Sequence, residues 1–221
     1  MNYYEYISLT DGSEEWKRLH IPTEQIYSSS VIPDILGVGY NSPAKRYDLI
    51  TGAVPSLQET NSYLQNILEY GRQMEPIAID LWYERHPEWA GIKAGMAKYN
   101  EVIMASCDQI AINKTTGELR LVEIKCKTTQ VEMDASKVGL HWIAQCIIEM
   151  LCWRIYKCSL FIMLPDKSCY EYEIVWNEEI AKRIVDEVNT FILKVAKKQR
   201  PTRKFKDEVL MKSLSKAIKI P

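Results

Sequence analysis

The stretch LRLVEIKCKTT, residues 119–129, decides the reading of this chain. In an extended strand successive side chains point to opposite faces. Glu123 and Lys125 therefore project from one side, and Val122, Ile124 and Cys126 from the other. Leu119 and Leu121 precede the charged pair on its own face, so the expectation is a strand that begins in the core and brings its charged end out at a sheet edge or cleft. Charges there need a partner. Upstream, EVIMASCDQIAI (101–112), NKTTG (113–117) and ELRLVEIKC (118–126) read as strand, turn and strand, a hairpin that lays Asp108 beside Glu123. Two neighbouring carboxylates repel each other, and a divalent cation satisfies both. Hard oxygen ligands with few His or Cys nearby select Mg²⁺ or Mn²⁺ over zinc.

The rest of the chain limits what such a pair can belong to. With 221 residues and 47% hydrophobic content the chain can bury one sizeable core, and no linker divides it, so residues 1–221 read as a single domain. A formal net charge of -1 is ordinary for a globular protein, but LKVAKKQRPTRKFK (193–206) is basic without one acid, which sets apart a basic C-terminal helix and tail, 194–221. The start, MNYYEYISLTDGSEEW, has neither a basic n-region nor an apolar h-region, and no apolar run approaches the roughly 18 to 20 residues that span a bilayer, which points to a cytosolic compartment. The six cysteines contain no C-x-x-C pair and fall in apolar stretches, so buried thiols are expected rather than disulfides, zinc or an iron–sulfur cluster.

Residues 1–95 read as largely helical. SEEWKRLH (13–20) supplies a turn or two. SSSVIPDILG (28–37) offers serines at a helix start and a glycine at its end, and SPAKRYDLITG (42–52) repeats that grammar with Ser42 as cap and Pro43 in the first turn. In residues 57–87, Leu64, Ile67, Leu68, Gly71, Glu75, Ile79 and Trp82 recur at helical spacing, and the face is apolar except at Gly71 and Glu75. After the hairpin, residues 139–158 read as a buried helix, SLFIMLP (159–165) and CYEYEIVW (169–176) as strands, and residues 177–198 as an amphipathic helix capped by Asn177. Helices, hairpin, helix, strand pair and helix make an α/β domain, a central mixed sheet flanked by helices.

Two polar residues interrupt apolar faces. A carboxylate on a buried helix face costs several kcal/mol unless it meets a cation or a base, which singles out Glu75. Gln145 interrupts HWIAQCIIEML (141–151) in the same way, and its amide can position a water or a phosphate oxygen. An Asp followed on the next strand by Glu-x-Lys resembles the PD-(D/E)XK nuclease superfamily, here at Asp108, Glu123, Ile124 and Lys125. The full order, G-x-x-x-E, D, E-x-K and Q, narrows the resemblance to the YqaJ-like viral recombinase and lambda-exonuclease family, from Trp16 to about Met163. That family opens on Trp and Arg before I-T-A-S, then I-L-G and S-P, which resembles Trp16 with Arg18 or His20, the YSSS ending at Ser30, Ile35-Leu36-Gly37 and Ser42-Pro43.

The resemblance implies a restriction-endonuclease-like core and a metal-dependent 5'-to-3' exonuclease that digests linear duplex DNA and leaves a 3' single strand for an annealing protein. It also implies an origin in a phage or virus acting inside a host cell, and a ring-shaped homo-trimer. Asp108, Glu123, Glu75 and the Ile124 carbonyl would hold Mg²⁺ or Mn²⁺, Lys125 would orient or deprotonate the attacking water, and Gln145 would assist. Ser30 and Arg18 would hold a terminal 5'-phosphate; Lys45, Arg46, Lys127 and Lys137 are candidate DNA-backbone contacts. Where the family has S-P-D-G this chain has Ser106-Cys107-Asp108-Gln109, and Lys127 replaces the proline after E-x-K-C. A RecB-like or restriction-type endonuclease of the same superfamily, and a DNA-binding module without catalysis, are the alternatives.

Overall fold

The computed structural model describes residues 6–7, 27–55, 62–92, 95–202 and 208–219; Trp16, Arg18 and His20 lie outside the described residues. In chain order the elements are β1 (Tyr6–Ile7), β2 (Tyr27–Ser28), α1 (Ile32–Ile35), α2 (Pro43–Ile50), α3 (Ser62–Arg85), β3 (Trp89–Ile92), β4 (Met96–Lys98), β5 (Ile103–Ser106), β6 (Gln109–Asn113) and β7 (Leu119–Cys126). A 3₁₀ turn (Ala135–Lys137) follows, then α4 (Leu140–Trp153), β8 (Lys157–Met163), β9 (Cys169–Val175), α5 (Glu178–Ala196), α6 (Glu208–Lys216) and β10 (Ile218–Lys219).

The main sheet runs β10-β9-β8-β7-β6-β3 and is antiparallel except for β7 and β8. A smaller sheet runs β1-β4-β5-β2, with β2 parallel to β5. Parallel neighbours need a crossover, and α4 supplies it between β7 and β8. Its Ile143, Ala144 and Ile147 pack in one core with Leu121, alongside residues of α5 and α6. On the opposite face, Ala78 and Trp82 of α3 pack with Val122, Ile124, Phe161 and Met163. The alternation read at residues 119–126 is thus the division between two helical layers.

Three expectations are corrected. β7 lies inside the sheet, and its burial runs the other way: Leu119 is 40% exposed while Glu123 is 2% exposed. The crossover explains this, because α4 lies over the charged half of the strand. Residues 101–112 form two strands rather than one, since β5 joins the smaller sheet and β6 the larger, with the break at Cys107 and Asp108. The serines at 28–30 do not cap α1; its N-cap is Val31, without a side-chain bond. They serve instead as the end of β2 and the turn after it.

Two cap signals hold, while Trp89–Ile92, within the stretch read as largely helical, is a strand, and SEEWKRLH (13–20) lies outside the described residues. Ser42 caps α2 through Lys45 N–H at 3.2 Å, behind Pro43, and Asn177 caps α5 through Ile180 N–H at 3.0 Å. In α3 only the C-terminal part of the face is closed, for Ala78 and Trp82 are buried whereas Leu68 is 41% exposed. The C-terminal segment is built into the fold: β10 pairs with β9, and Arg200 makes a two-point ion pair with Asp48 at 2.7 and 2.6 Å. All six cysteines are free thiols, and no helix among the described residues is long and apolar enough to cross a membrane.

Candidate active site

The hairpin pairs Gln109 with Val122, and the next step of that register sets Asp108 beside Glu123. At the break between β5 and β6 the chain leaves the ladder, and the Asp108 carboxylate takes over, accepting Ile124 N–H at 2.7 Å. A backbone donor that the lost ladder would have orphaned is satisfied by a side chain. This bond fixes Asp108 against the strand that carries Glu123 and Lys125.

Glu123 is the meeting point. Its Oε1 accepts from Lys125 Nζ at 2.5 Å and from Gln145 Nε2, one layer above on α4, at 2.6 Å. Burial pulls the Lys125 ammonium down, but the charges of Glu123 and Asp108 outweigh it, and the net shift is upward. Lys125 is therefore held as a cation. The Asp108 carboxyl is pushed well above the usual carboxylate range, first by burial and then by the charges of Glu123 and Glu75. Glu75, half-buried on α3, acts electrostatically on both Asp108 and Cys126, which places it at the same end of β7.

Among the described residues no group of three His, Cys, Asp or Glu side chains closes on one point. Asp108 and Glu123 are each drawn to protein donors. The donor chemistry nonetheless fits a hard divalent cation: oxygens only, with mutual repulsion that raises Asp108 and that such an ion would relieve.

Glu149, one turn beyond Gln145 on α4, was not singled out by sequence and is fully buried. Its Oε1 accepts from Gln145 Nε2 at 2.9 Å and from Ser29 Oγ at 3.2 Å, while Oε2 has no partner among the described residues. Burial, followed by the charge of Glu123, holds this carboxyl well above its usual range. The chain Ser29, Glu149, Gln145, Glu123 and Lys125 links the serine turn after β2 to the end of β7. It also orients Gln145, because Nε2 donates to two acceptors and the amide oxygen is the atom left to face elsewhere. A single acid in an apolar helix, four residues after Gln145, was the available signal.

The remaining candidates separate. Ser30 is exposed, its hydroxyl 3.1 Å from Ser28 Oγ, while Ser28 and Ser29 are buried. Arg46 is not free for a DNA phosphate: its Nη2 and Nε donate to buried Asp34 at 2.5 and 3.1 Å. Half-buried Lys45 acts on Asp48. Lys127 Nζ stands 5.4 Å from the Trp142 ring centroid, beside the site. Lys137 is a surface residue bonded to the Glu132 carbonyl at 2.8 Å and 3.4 Å from Asp134.

A family model described as YqaJ-like viral recombinase domain matches residues 15–152, a span that holds the serine turn, Glu75, Asp108, Glu123, Lys125, Gln145 and Glu149. The chain belongs to the YqaJ-like family. No curated protein matches it in sequence. Among solved structures it is similar to an alkaline exonuclease from Laribacter hongkongensis, with 17% identity, a TM-score of 0.65, and coverage of 92% of this chain and 99% of that one. The same exonuclease in complex with dAMP gives a TM-score of 0.64 at 19% identity, with the same coverage. A phage-related exonuclease from Haemophilus somnus gives 0.54 at 13% identity, covering 85% of this chain and 96% of the other. The YqaJ-family chain thus has the restriction-endonuclease-like fold, a mixed sheet between helices.

Proposed function

We propose that this YqaJ-family protein is a metal-dependent nuclease that digests linear double-stranded DNA from its 5' ends and leaves a 3' single strand. The observation that carries the reading is the convergence on Glu123: Lys125 and Gln145 both donate to one of its oxygens, with Asp108 laid alongside by the hairpin. The family and the fold support a nuclease role, and the neighbouring exonuclease that holds dAMP carries a mononucleotide of the kind an exonuclease releases.

Asp108, Glu123, Glu75 and the Ile124 carbonyl would hold Mg²⁺ or Mn²⁺. When bound, such an ion supplies Lewis-acid stabilisation of the charge that develops on the scissile phosphate. Lys125, kept protonated by Glu123 and Asp108, orients the attacking water and meets the same charge as a cation rather than serving as a base. Gln145, with its Nε2 donors committed to Glu123 and Glu149, turns its amide oxygen to accept a proton of that water. Ser30, exposed at the turn beside this network, offers its hydroxyl to a terminal 5'-phosphate, with Arg18 as its cationic partner, and Lys127 takes the strand behind it. Digestion from an end requires no base reading, which suits contacts made to phosphates. An annealing protein would receive the 3' strand, and a homo-trimer would keep the enzyme on one duplex.

Incubation of the purified protein with an end-labelled linear duplex and with a closed circle, in Mg²⁺ and in EDTA, tests this. Loss of the linear DNA alone, from its 5' ends and only with metal, is the expected result. Cutting of the circle would assign an endonuclease instead, and no cleavage of either a binding module.

A further inference from the structure

Tyr40 is more exposed than any other large hydrophobic side chain among the described residues, at 83%, yet its loop is tightly held. Gly39 N–H donates to the Pro33 carbonyl at 2.8 Å, folding residues 37–41 back onto α1. Asp34, 3% exposed, then locks the loop by accepting from Asn41 N–H and Asn41 Nδ2, each at 2.9 Å, while Arg46 balances its charge. A Cβ at Gly39 would lie 2.5 Å from the Asp34 backbone nitrogen, so the close approach that presents Tyr40 admits only glycine.

The ring so presented is the outer member of a tier. Its centroid is 4.7 Å from that of His141, and its hydroxyl is 3.0 Å from His141 Nε2. His141 stands 4.9 Å from Trp142, over which the Lys127 ammonium sits at 5.4 Å. The imidazole folds back at the start of α4 only because residue 139 is glycine, where a Cβ would lie 2.2 Å from the ring. His141 is one helical turn, roughly 6 Å, before Gln145, and Lys127 follows Lys125 by two residues. The tier therefore adjoins the Glu123 cluster. Burial, then the charge of Lys125, draw the His141 pKa down to about 4 against an opposing pull from Asp34, with Lys127 adding a smaller push the same way as Lys125, so the imidazole in the tier is neutral near pH 7.

A clamped, solvent-facing ring beside a cation is a surface on which a flat π-system stacks without ordering a mobile side chain. We propose that Tyr40, backed by His141 and Trp142, is a stacking shelf for a nucleobase of the DNA strand entering the site, with Lys127 on the adjoining phosphate. This rests on the nuclease reading and adds a base contact to it. Every base has a π-face, so the shelf is tolerant of sequence.

A short duplex with 2-aminopurine as its 5'-terminal base, bound to the full chain with Ca²⁺ in place of Mg²⁺, reads the contact directly. Quenching of 2-aminopurine by the wild type is expected. Tyr40→Ala and Tyr40→Leu should lose the quenching and bind the end roughly 10-fold more weakly, whereas Tyr40→Phe keeps both. With Mg²⁺, a terminal abasic nucleotide should slow the wild type to the level of Tyr40→Ala. Wild-type quenching and affinity retained in Tyr40→Ala would overturn the shelf while leaving the nuclease intact. A wild-type protein that binds no DNA would overturn both.

Discussion

The main sheet carries a carboxylate cluster on each face, and the two differ in how their charge is met. On the α3 side Glu171 accepts from Trp82 Nε1 at 3.0 Å, from His86 Nε2 at 2.7 Å and from Ser159 Oγ. Burial raises its pKa, but the bonds from Ser159 and His86 outweigh it and the carboxyl ends below its usual range. On the α4 side Asp108 and Glu149 end well above theirs, because burial is joined by repulsion from Glu123. Both clusters lie against the one main sheet. The first is complete as it stands; in the second, burial and mutual repulsion raise two carboxyls together, a perturbation of the kind that clusters at functional sites.

That contrast is open to attack by substitution. The largest effect is expected at the cluster on the α4 side, where Lys125→Ala and Asp108→Ala should each lower cleavage by orders of magnitude and change DNA binding little, as a single-turnover assay beside a gel-shift titration would show. A Lys125→Ala protein that cuts at the parental rate would remove the lysine from the mechanism. A smaller and opposite pair of effects should follow from replacing one acid in each cluster. Glu149→Gln keeps an oxygen for the Ser29 and Gln145 donors and removes an acid that burial and the charge of Glu123 oppose, so it should raise the melting midpoint slightly. Glu171→Met strands the donors of Trp82, Ser159 and His86, so it should cost about 1–3 kcal/mol and leave the rate per folded molecule unchanged. Melting curves and rates measured side by side decide this; a shift of the same sign in both variants would erase the distinction between the clusters.

Much of the site was legible because a strand's alternation and a hairpin's register are strict. Glu123 and Lys125 share a face and Asp108 meets Glu123, as strand and hairpin geometry require; Gln145, marked in the sequence only as a polar residue in an apolar run, descends on them from the crossover helix. What escaped depended on tertiary placement. Nothing in EVIMASCDQIAI marks the change of sheet at Cys107 and Asp108, for neither glycine nor proline stands there. The direction of burial along β7 depends on where α4 crosses, which the strand's own residues do not encode. Arg46 looked available to a phosphate until Asp34, buried twelve positions earlier, proved to hold it. Glu149 was hidden by the same apolar helix that made Gln145 conspicuous.

Whether Asp108 and Glu123 are held together to receive a divalent cation is tested, without reference to cleavage, by titration of Mg²⁺ into the DNA-free protein followed by calorimetry and by the melting midpoint. Saturable binding that raises the midpoint of the wild type and is lost in Asp108→Asn and Glu123→Gln is expected. Equal binding by the wild type and both variants, or no binding by any of them, would contradict it.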